Sequence, residues 1–232
     1  MKFALISLGC SKNLVDSENF IGILVNKRGF EVTSELGEAD IIIVNTCGFI
    51  GDAKKESIET ILEVSDLKIN GNLKKIIVTG CLAQRYAGEI LKELPEVDAV
   101  IGTGEIDKIE KVVEEILADK RVVESTKMDF LADSETDRVL TTASHTAYLK
   151  IAEGCDRRCT YCIIPQLRGK LRSRTIEDIL KEANKLVASG VKELNLLAQE
   201  TTEYGIDLYK EKSLARLMKE LVKIDGLKWL RT

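Results

Sequence analysis

The first hundred residues alternate between short apolar runs and longer amphipathic stretches. Runs of mostly apolar residues occur at Phe3–Ser7, Asp40–Val44, Lys75–Val78 and Ala99–Ile101. In the stretches between them, apolar residues recur every three or four positions, which is the spacing of one face of a helix. Short buried strands that alternate with amphipathic helices predict an open parallel sheet, Rossmann-like or flavodoxin-like, with helices on both faces.

A second α/β region follows a charged stretch. Residues 121–142 are interpreted as a connector between a first domain, residues 1–120, and a second domain, residues 143–232. The connector is expected to form a hairpin from short strands at Arg121–Val123 and Val139–Leu140. The predicted elements of the second domain are strands at Ala147–Ala152, Glu193–Leu197 and Leu227–Leu230 and helices at Ile176–Ala188 and Ser213–Ile224. Thr175 and Asp178 have the spacing of a capping box at the first of these helices.

The sequence stops at Thr232, directly after a predicted strand with no helix to cover it. A small parallel sheet with an exposed final edge is an unusual finished product. The chain is therefore expected to be truncated within its second domain.

Composition narrows the class of protein. The 232 residues are 44% hydrophobic and 31% charged, which is typical of a globular protein and excludes a disordered or fibrous chain. The apolar runs are too short to span a bilayer, and the strand-like run Lys2–Leu8 lacks the longer apolar core of a signal peptide, so a cytoplasmic location without membrane contact is expected. The net charge of −4 argues against coating nucleic acid by charge alone, although the segment Arg168–Arg174 could form a local basic patch.

Three of the six cysteines follow three successive predicted strands. Cys10, Cys47 and Cys81 are 37 and 34 residues apart, about one strand and one helix each. The carboxyl ends of parallel strands meet at one edge of a sheet, so we expect these cysteines to converge there. Each also precedes a helix, whose N-terminus favours a thiolate. Free cysteine packs well in cores, so three buried structural side chains are the alternative.

The other three cysteines form a compact motif after a predicted strand. Cys155, Cys159 and Cys162 have the spacing CxxxCxxC. Structural zinc needs four ligands, and a four-cysteine ferredoxin cluster is short by one. A [4Fe–4S] cluster held by three cysteines leaves one iron open to an outside ligand. Another metal or thiol site stays open as an alternative, whereas disulfides are disfavoured in a large, apparently cytosolic chain.

This motif resembles that of the radical S-adenosylmethionine enzymes. The resemblance narrows to the methylthiotransferase family, because the cysteine-bearing stretches Leu8–Glu18, Asn45–Cys47, Thr79–Cys81 and Glu153–Arg174 match its motifs. The implied fold is an N-terminal α/β domain followed by the start of a partial (β/α) barrel. The motifs extend from residue 8 to residue 174 and together are highly specific.

Two branches of this family differ in substrate. The stretch Lys12–Glu18 and the arginine-rich loop Asp156–Cys159 are similar to the branch that modifies an aspartate of a small-subunit ribosomal protein (RimO-type). The branch that modifies isopentenyladenosine in transfer RNA (MiaB-type) typically has a different segment after its first cysteine. The implied function is therefore insertion of a methylthio group at the β-carbon of a ribosomal aspartate, with the transfer-RNA activity as the alternative.

The resemblance implies two [4Fe–4S] clusters and S-adenosylmethionine as cofactors. It assigns Cys155, Cys159 and Cys162 to the cluster that cleaves S-adenosylmethionine, and Cys10, Cys47 and Cys81 to the cluster that carries the transferred sulfur. No catalytic residue beyond these ligands is predicted. The expected partners are the ribosomal protein and an electron donor such as flavodoxin or ferredoxin, and the sequence does not indicate the oligomeric state.

Two further residues are candidates for binding S-adenosylmethionine. Tyr161 could line the adenine pocket or simply pack, and Gln199 could contact the methionine amino group or only form a hydrogen bond at its strand end. His145 is predicted to be structural. Arg172 and Arg174 could bind a carboxylate or be solvated.

Near the first cysteine, Asn13 and the segment Asp16–Glu18 could serve a cluster, although helix capping explains the latter equally well. An iron–sulfur protein for electron transfer or scaffolding, without radical chemistry, is the alternative from another class.

Overall fold

The computed structural model describes residues 1–232, which divide into two compact units. The first comprises Met1–Phe130 with Asp137–Val139, and the second Leu131–Thr136 with Leu140–Thr232. None of the helices combines the length and the apolar character needed to cross a membrane.

The first unit is a six-stranded parallel sheet with helices on both faces. Its strands are β1 (Lys2–Ser7), β2 (Glu31–Val32), β3 (Ile41–Thr46), β4 (Lys75–Gly80), β5 (Ala99–Ile101) and β6 (Val122–Glu124). Its helices are α1 (Ser11–Arg28), α2 (Gly51–Asn70), α3 (Cys81–Glu93) and α4 (Ile109–Leu117), with short 3₁₀ helices at Leu36–Glu38 and Ile106–Lys108. The strand order is β2-β1-β3-β4-β5-β6, and every pair is parallel. The predicted open parallel α/β fold is confirmed.

Alternation along β3 shows how the two cores form. Ile41 and Ile43 pack with α1 and α4 on one face, whereas Ile42 and Val44 pack with α2 and α3 on the other. All four side chains are fully buried. Successive side chains of a strand point to opposite faces, so a strand covered on both sides must be continuously apolar. This requirement produces the apolar runs in the sequence.

The chain after α4 departs from the predicted connector. Val122–Glu124 pairs in parallel with Ala99–Ile101 and so completes the first sheet. The hairpin expected between Arg121–Val123 and Val139–Leu140 does not form, because the first of these segments is already paired within the sheet and no strand includes the second. The remaining residues of this stretch are divided between the two units.

A three-residue segment, Asp137–Val139, crosses helix α1. The Val139 amide donates to the Glu18 carbonyl at 3.1 Å. The Arg138 Nε and Nη2 atoms donate to Glu18 Oε2 at 2.9 and 2.7 Å, and both side chains are buried. A Cβ at Gly22 would lie 2.4 Å from the Arg138 nitrogen. The glycine in the middle of this helix is therefore required by the close approach of a second backbone.

The second unit begins with a break in a predicted strand. It contains β7 (Thr146–Lys150), β8 (Ala152–Glu153), α5 (Ile164–Arg168), β9 (Arg172–Ser173), α6 (Ile176–Ala188), β10 (Glu193–Leu197), α7 (Ile206–Tyr209), α8 (Leu214–Leu221) and β11 (Trp229–Arg231), with a 3₁₀ helix at Thr201–Glu203. The parallel sheet has the order β11-β10-β7, and β8 pairs with β9 in antiparallel fashion. The run Ala147–Ala152 is thus two strands, since its end turns toward β9.

Helix α6 begins as the capping pattern predicts, but only half of the capping box forms. The Thr175 hydroxyl accepts from the Asp178 amide at 3.2 Å. The Asp178 carboxylate instead accepts from the Ser134 amide at 2.9 Å and from Arg174 Nε at 2.7 Å. The carboxylate therefore holds neighbouring segments instead of the N-cap amide.

We expect Gly22→Ala to lower the stability of the chain even though alanine favours helices. The added methyl group would overlap the backbone at Arg138, and overpacking of this kind costs about 1–3 kcal/mol. Urea-induced unfolding followed by circular dichroism measures the change.

Gly88, on the exposed side of α3, is the matched control. A Cβ there meets nothing within 4 Å, so Gly88→Ala should raise the free energy of unfolding by about 0.5–1 kcal/mol. Two alanine variants that shift stability in the same direction would contradict the packing of Asp137–Val139 across α1.

Candidate functional site

The three N-terminal cysteines lie just beyond adjacent strand ends. In the sheet register Ser7 is opposite Asn45, and Asn45 is opposite Thr79. Cys10, Cys47 and Cys81 follow these positions by two or three residues. The strands end level with one another, so the structure brings the three cysteine-bearing segments to one edge of the first sheet.

Two glycines allow these segments to approach one another closely. A Cβ at Gly9, where φ is +87°, would lie 2.8 Å from the Cys47 Cβ and 3.2 Å from its Sγ. A Cβ at Gly48 would lie 2.9 Å from the Cys81 carbonyl carbon. The Cys10 segment therefore packs on Cys47, and the segment after Cys47 packs on the start of α3.

Helix N-termini surround the same edge. Cys10 is the N-cap of α1, and its carbonyl accepts from the Leu14 amide at 3.1 Å. Cys81 is the first residue of α3, and Cys47 precedes the N-cap of α2, Ile50, by three residues. The partial positive charge of a helix N-terminus stabilises a thiolate or another bound anion.

The donor chemistry of this edge fits an iron–sulfur cluster. None of the three cysteines forms a disulfide. Cys10 is exposed, Cys47 is half-buried and Cys81 is buried. Thiolates are the ligands that hold iron–sulfur clusters in proteins. In the structure itself, no three side chains of histidine, cysteine, aspartate or glutamate are arranged to hold a metal ion. The backbone segments that carry the cysteines are packed together, whereas the three thiols do not form a metal-holding group.

The second group of cysteines begins on a constrained glycine. Gly154 has φ +75°, and a Cβ there would lie 2.0 Å from the Lys170 carbonyl oxygen. The Cys155 amide donates to the Gly169 carbonyl at 3.1 Å, and the Asp156 carboxylate accepts from the Leu171 amide at the same distance. The start of the cysteine loop is thus fixed against the segment Gly169–Leu171.

A buried carboxylate directly precedes this loop. Glu153 Oε2 accepts from Lys150 Nζ at 2.9 Å and from Arg168 Nη1 at 3.2 Å. Its Oε1 accepts from the Gly154 amide at 3.2 Å and from Gln199 Nε2. Burial alone would raise the pKa of Glu153, but the charges of Lys150 and Arg168 lower it well below its usual value. The carboxylate is ionised, and it ties the start of the loop to the end of α5 and to the segment after β10.

Sequence reasoning missed Glu153 because its partners lie in three separate segments. The signal was an acid two residues before the first cysteine, in a segment rich in arginine. For Gln199, the structure shows the strand-end hydrogen bond to Glu153. Its role toward S-adenosylmethionine stays a prediction.

Beside Cys155 lies a small cleft of about 110 Å³, lined by Cys155, Asp156, Arg157, Leu171, Glu200, Glu203 and Ile206. Arg157 forms ion pairs with Glu200 at 3.3 Å and Glu203 at 3.0 Å. The cleft accommodates a few small groups and is too small for a nucleoside.

The predicted basic patch at Arg168–Arg174 is wrong. Arg168 is only 2% exposed and pairs with Glu153. Arg174 is 4% exposed and pairs with Asp178 at 2.7 Å and Glu182 at 2.5 Å. A buried guanidinium requires such partners, so these charges face the interior and not a partner surface.

Three other candidates differ in placement. Tyr161 is 87% exposed and packs on no core, so its proposed contact with adenine stays a prediction. The His145 side chain is exposed, and its carbonyl accepts from the amides of Lys192 and Glu193 at 2.8 and 2.9 Å, a structural role for the backbone. Arg172 donates to the Arg168 and Lys170 carbonyls.

The capping interpretation of Asp16–Glu18 is wrong. Helix α1 begins at Ser11, so these residues lie beyond its first turn, where capping is impossible. All three are buried, and Glu18 pairs with Arg138. Asn13 is also buried, and its amide nitrogen donates to the Leu8 and Thr46 carbonyls at 3.1 and 3.0 Å.

Comparisons with known proteins divide the chain in the same order as its fold. Residues 2–102 match the uncharacterized protein family UPF0004, and residues 149–229 match the radical SAM superfamily. Similar curated proteins include the ribosomal protein uS12 methylthiotransferases RimO of Clostridioides difficile (strain 630) and Thermoanaerobacter sp. (strain X514). The first is 55% identical over an alignment that covers 100% of this chain, and the second is 56% identical over 98% of it. The chain spans about half the length, 52%, of each.

Solved structures share the fold at low identity. The radical S-adenosylmethionine methyltransferase TsrM from Kitasatospora setae has a TM-score of 0.58 and 13% identity, covering 96% of this chain and 52% of its own. The cobalamin-dependent S-adenosylmethionine radical enzyme OxsB has a TM-score of 0.56 and 16% identity, covering 98% of this chain and 38% of its own. These likenesses support the α/β fold of the chain.

The two matched regions and the high identity across the whole chain agree with the motifs at both groups of cysteines. Over its whole length, the chain is similar to the RimO-type radical S-adenosylmethionine methylthiotransferases.

Proposed function

We propose that this chain carries both cysteine centres of a radical S-adenosylmethionine methylthiotransferase that modifies ribosomal protein uS12. The observation that carries the proposal is the pairing of two three-cysteine groups, each directly after a strand, in a chain more than half identical to the uS12 methylthiotransferases. The aspartate β-carbon as the site of modification follows from the motif resemblance.

Each group of cysteines has residues that suit it to hold a cluster. Cys155, Cys159 and Cys162 would hold one cluster and Cys10, Cys47 and Cys81 the other. When bound, the first would supply the electron that cleaves S-adenosylmethionine, and the second would hold the sulfur to be transferred. Gly154 and Glu153 fix the start of the C-terminal loop. The helix N-termini at Cys10 and Cys81 would offset the negative charge of thiolates at this edge of the first sheet.

The proposed partners are uS12 and an electron donor such as flavodoxin or ferredoxin, and the proposed location is the cytoplasm, where ribosomes are modified. Two other functions remain testable: modification of isopentenyladenosine in transfer RNA, and iron–sulfur electron transfer without radical chemistry. The similarity to enzymes named for uS12 favours the ribosomal substrate over the first. Reductive cleavage of S-adenosylmethionine distinguishes the enzyme from the second.

Anaerobic reconstitution with iron and sulfide tests the two-centre proposal. We expect about eight irons per chain, as two four-iron clusters, by iron analysis and Mössbauer spectroscopy. About four irons, all lost on Cys155→Ala, would refute a second cluster and leave a single-centre radical enzyme.

Mutations in the two groups of cysteines should have different effects on the reaction. Cys155→Ala is expected to abolish formation of 5′-deoxyadenosine from S-adenosylmethionine and dithionite, because the cluster that delivers the electron loses a ligand. Cys47→Ala is expected to preserve that cleavage and to prevent addition of a methylthio group to uS12, which mass spectrometry detects. Loss of cleavage in Cys47→Ala would contradict the division of roles.

The constrained glycine provides a test with a matched control. In Gly154→Ala the new methyl group would overlap the Lys170 carbonyl, so the Cys155 loop must move, and we expect loss of most of the iron bound at the C-terminal group. Gly190 also has a positive φ, +111°, but a Cβ there meets nothing within 4 Å. Gly190→Ala should therefore retain its iron, and equal iron contents in the two variants would argue against the role of the loop contact.

A further inference from the structure

A buried carboxamide connects the first two cysteine segments. The Asn13 Nδ2 group donates to the Leu8 carbonyl at 3.1 Å and to the Thr46 carbonyl at 3.0 Å. Leu8 lies two residues before Cys10, and Thr46 directly precedes Cys47. Asn13 is only 1% exposed, so these hydrogen bonds do not compete with water. One side chain thus fixes the spacing of two loops that come from separate strands.

A second carboxamide fixes the first. The Asn45 Nδ2 group donates to the Asn13 carbonyl at 2.8 Å and to the Ser17 hydroxyl at 2.9 Å, and the Ser17 hydroxyl contacts that of Ser7 at 2.9 Å. Asn45 is also 1% exposed. The end of β3 is therefore bonded to the first turns of α1, which carry Cys10 at their N-cap.

Hydroxyl groups extend these connections to the remaining segments. Thr46 Oγ1 donates to the Thr79 carbonyl at 2.5 Å, which links the Cys47 strand to the Cys81 strand. The Ser57 hydroxyl accepts from the Cys47 amide at 3.0 Å and lies 3.2 Å from the Cys47 carbonyl, to which it donates. Together Asn13, Asn45, Thr46 and Ser57 form what we term the edge clamp.

We propose that the edge clamp positions Cys10, Cys47 and Cys81 so that they act as one three-thiol site. This inference rests on the proposed function, in which these cysteines hold a cluster. The clamp residues contact the main chain beside the cysteines and are positioning residues. Their effect is on how firmly a cluster is held.

Pre-organisation explains why such a clamp matters for binding. The thiols do not form a metal-holding group as they stand, so they must move when a cluster binds. Rotation of a short side chain costs little, whereas ordering three loops at once costs much more. Hydrogen bonds that hold the loops before a cluster binds remove that larger cost. Loss of the two Asn13 bonds should therefore loosen the site without removing a ligand.

The test isolates the N-terminal group and follows iron instead of activity. In the parent protein, Cys155, Cys159 and Cys162 are all replaced by alanine, and the N-terminal group is reconstituted anaerobically with iron and sulfide. Iron content and the rate of iron loss to a chelator are then compared for the parent, Asn13→Ala and Asn26→Ala. Asn26 lies on the same helix, and its exposed hydrogen bond to Asp137 is remote from the cysteines.

We expect Asn13→Ala to lose iron about tenfold faster than both the parent and Asn26→Ala, as loss of hydrogen bonds of ordinary strength implies. Equal rates in all three proteins would overturn the clamp and leave the proposed function standing. A parent that binds no iron would overturn the clamp together with the second cluster of the proposed function.

A second pair of variants decides the matter if Asn13→Ala does not fold. Thr46→Val keeps the shape of the side chain but lacks the hydroxyl bonded to Thr79, whereas Thr46→Ser keeps the hydroxyl and lacks the methyl group. Faster iron loss in the valine variant alone supports the clamp. Faster loss in the serine variant alone indicates packing at this position and overturns it.

Discussion

The level ends of three neighbouring parallel strands are the constraint on which the first unit depends. Hydrogen bonding between β1, β3 and β4 sets Ser7, Asn45 and Thr79 side by side, and the cysteines follow from that alignment. At the ends of β3 and β4, the polar residues Asn45, Thr46 and Thr79 are almost fully buried, which is unfavourable unless their polar groups find partners. The Asn45 side chain therefore bonds to helix α1, and the Thr46 hydroxyl bonds to the neighbouring strand β4. The same hydrogen bonds that make burial tolerable also hold the cysteine segments together.

In the second unit, a buried polar group beside the cysteines is stabilised by charged partners. Glu153 is buried beside its cysteine loop, and desolvation of its carboxylate is offset by Lys150 and Arg168. Replacing only one member of such a group leaves an uncompensated buried charge, which is far more costly than replacing all of them with apolar side chains. Both units thus use local polar networks under the cysteines, neutral amides and hydroxyls in the first and ionised groups in the second.

The order of strands and helices could be predicted from the sequence, because a strand covered on both faces must be apolar throughout, as in Ile41–Val44. The gathering of the N-terminal cysteine segments followed from parallel topology. What escaped prediction depends on contacts between distant segments. A short strand near Val122 was expected, but three residues are too few to show that they pair with Ala99–Ile101. Nothing local shows that Arg174 meets Glu182, eight residues later, or that Asn13 reaches Thr46.

The path of the chain after Phe130 has a consequence for dissecting the protein. Three residues, Asp137–Val139, belong to the first unit although their neighbours on both sides belong to the second. A polypeptide cut at Phe130 would retain every strand of the first sheet and yet lose Arg138, leaving the Glu18 carboxylate buried without its guanidinium at a cost of about 3–5 kcal/mol. The shortest self-sufficient form of the first unit is therefore longer than its secondary structure suggests.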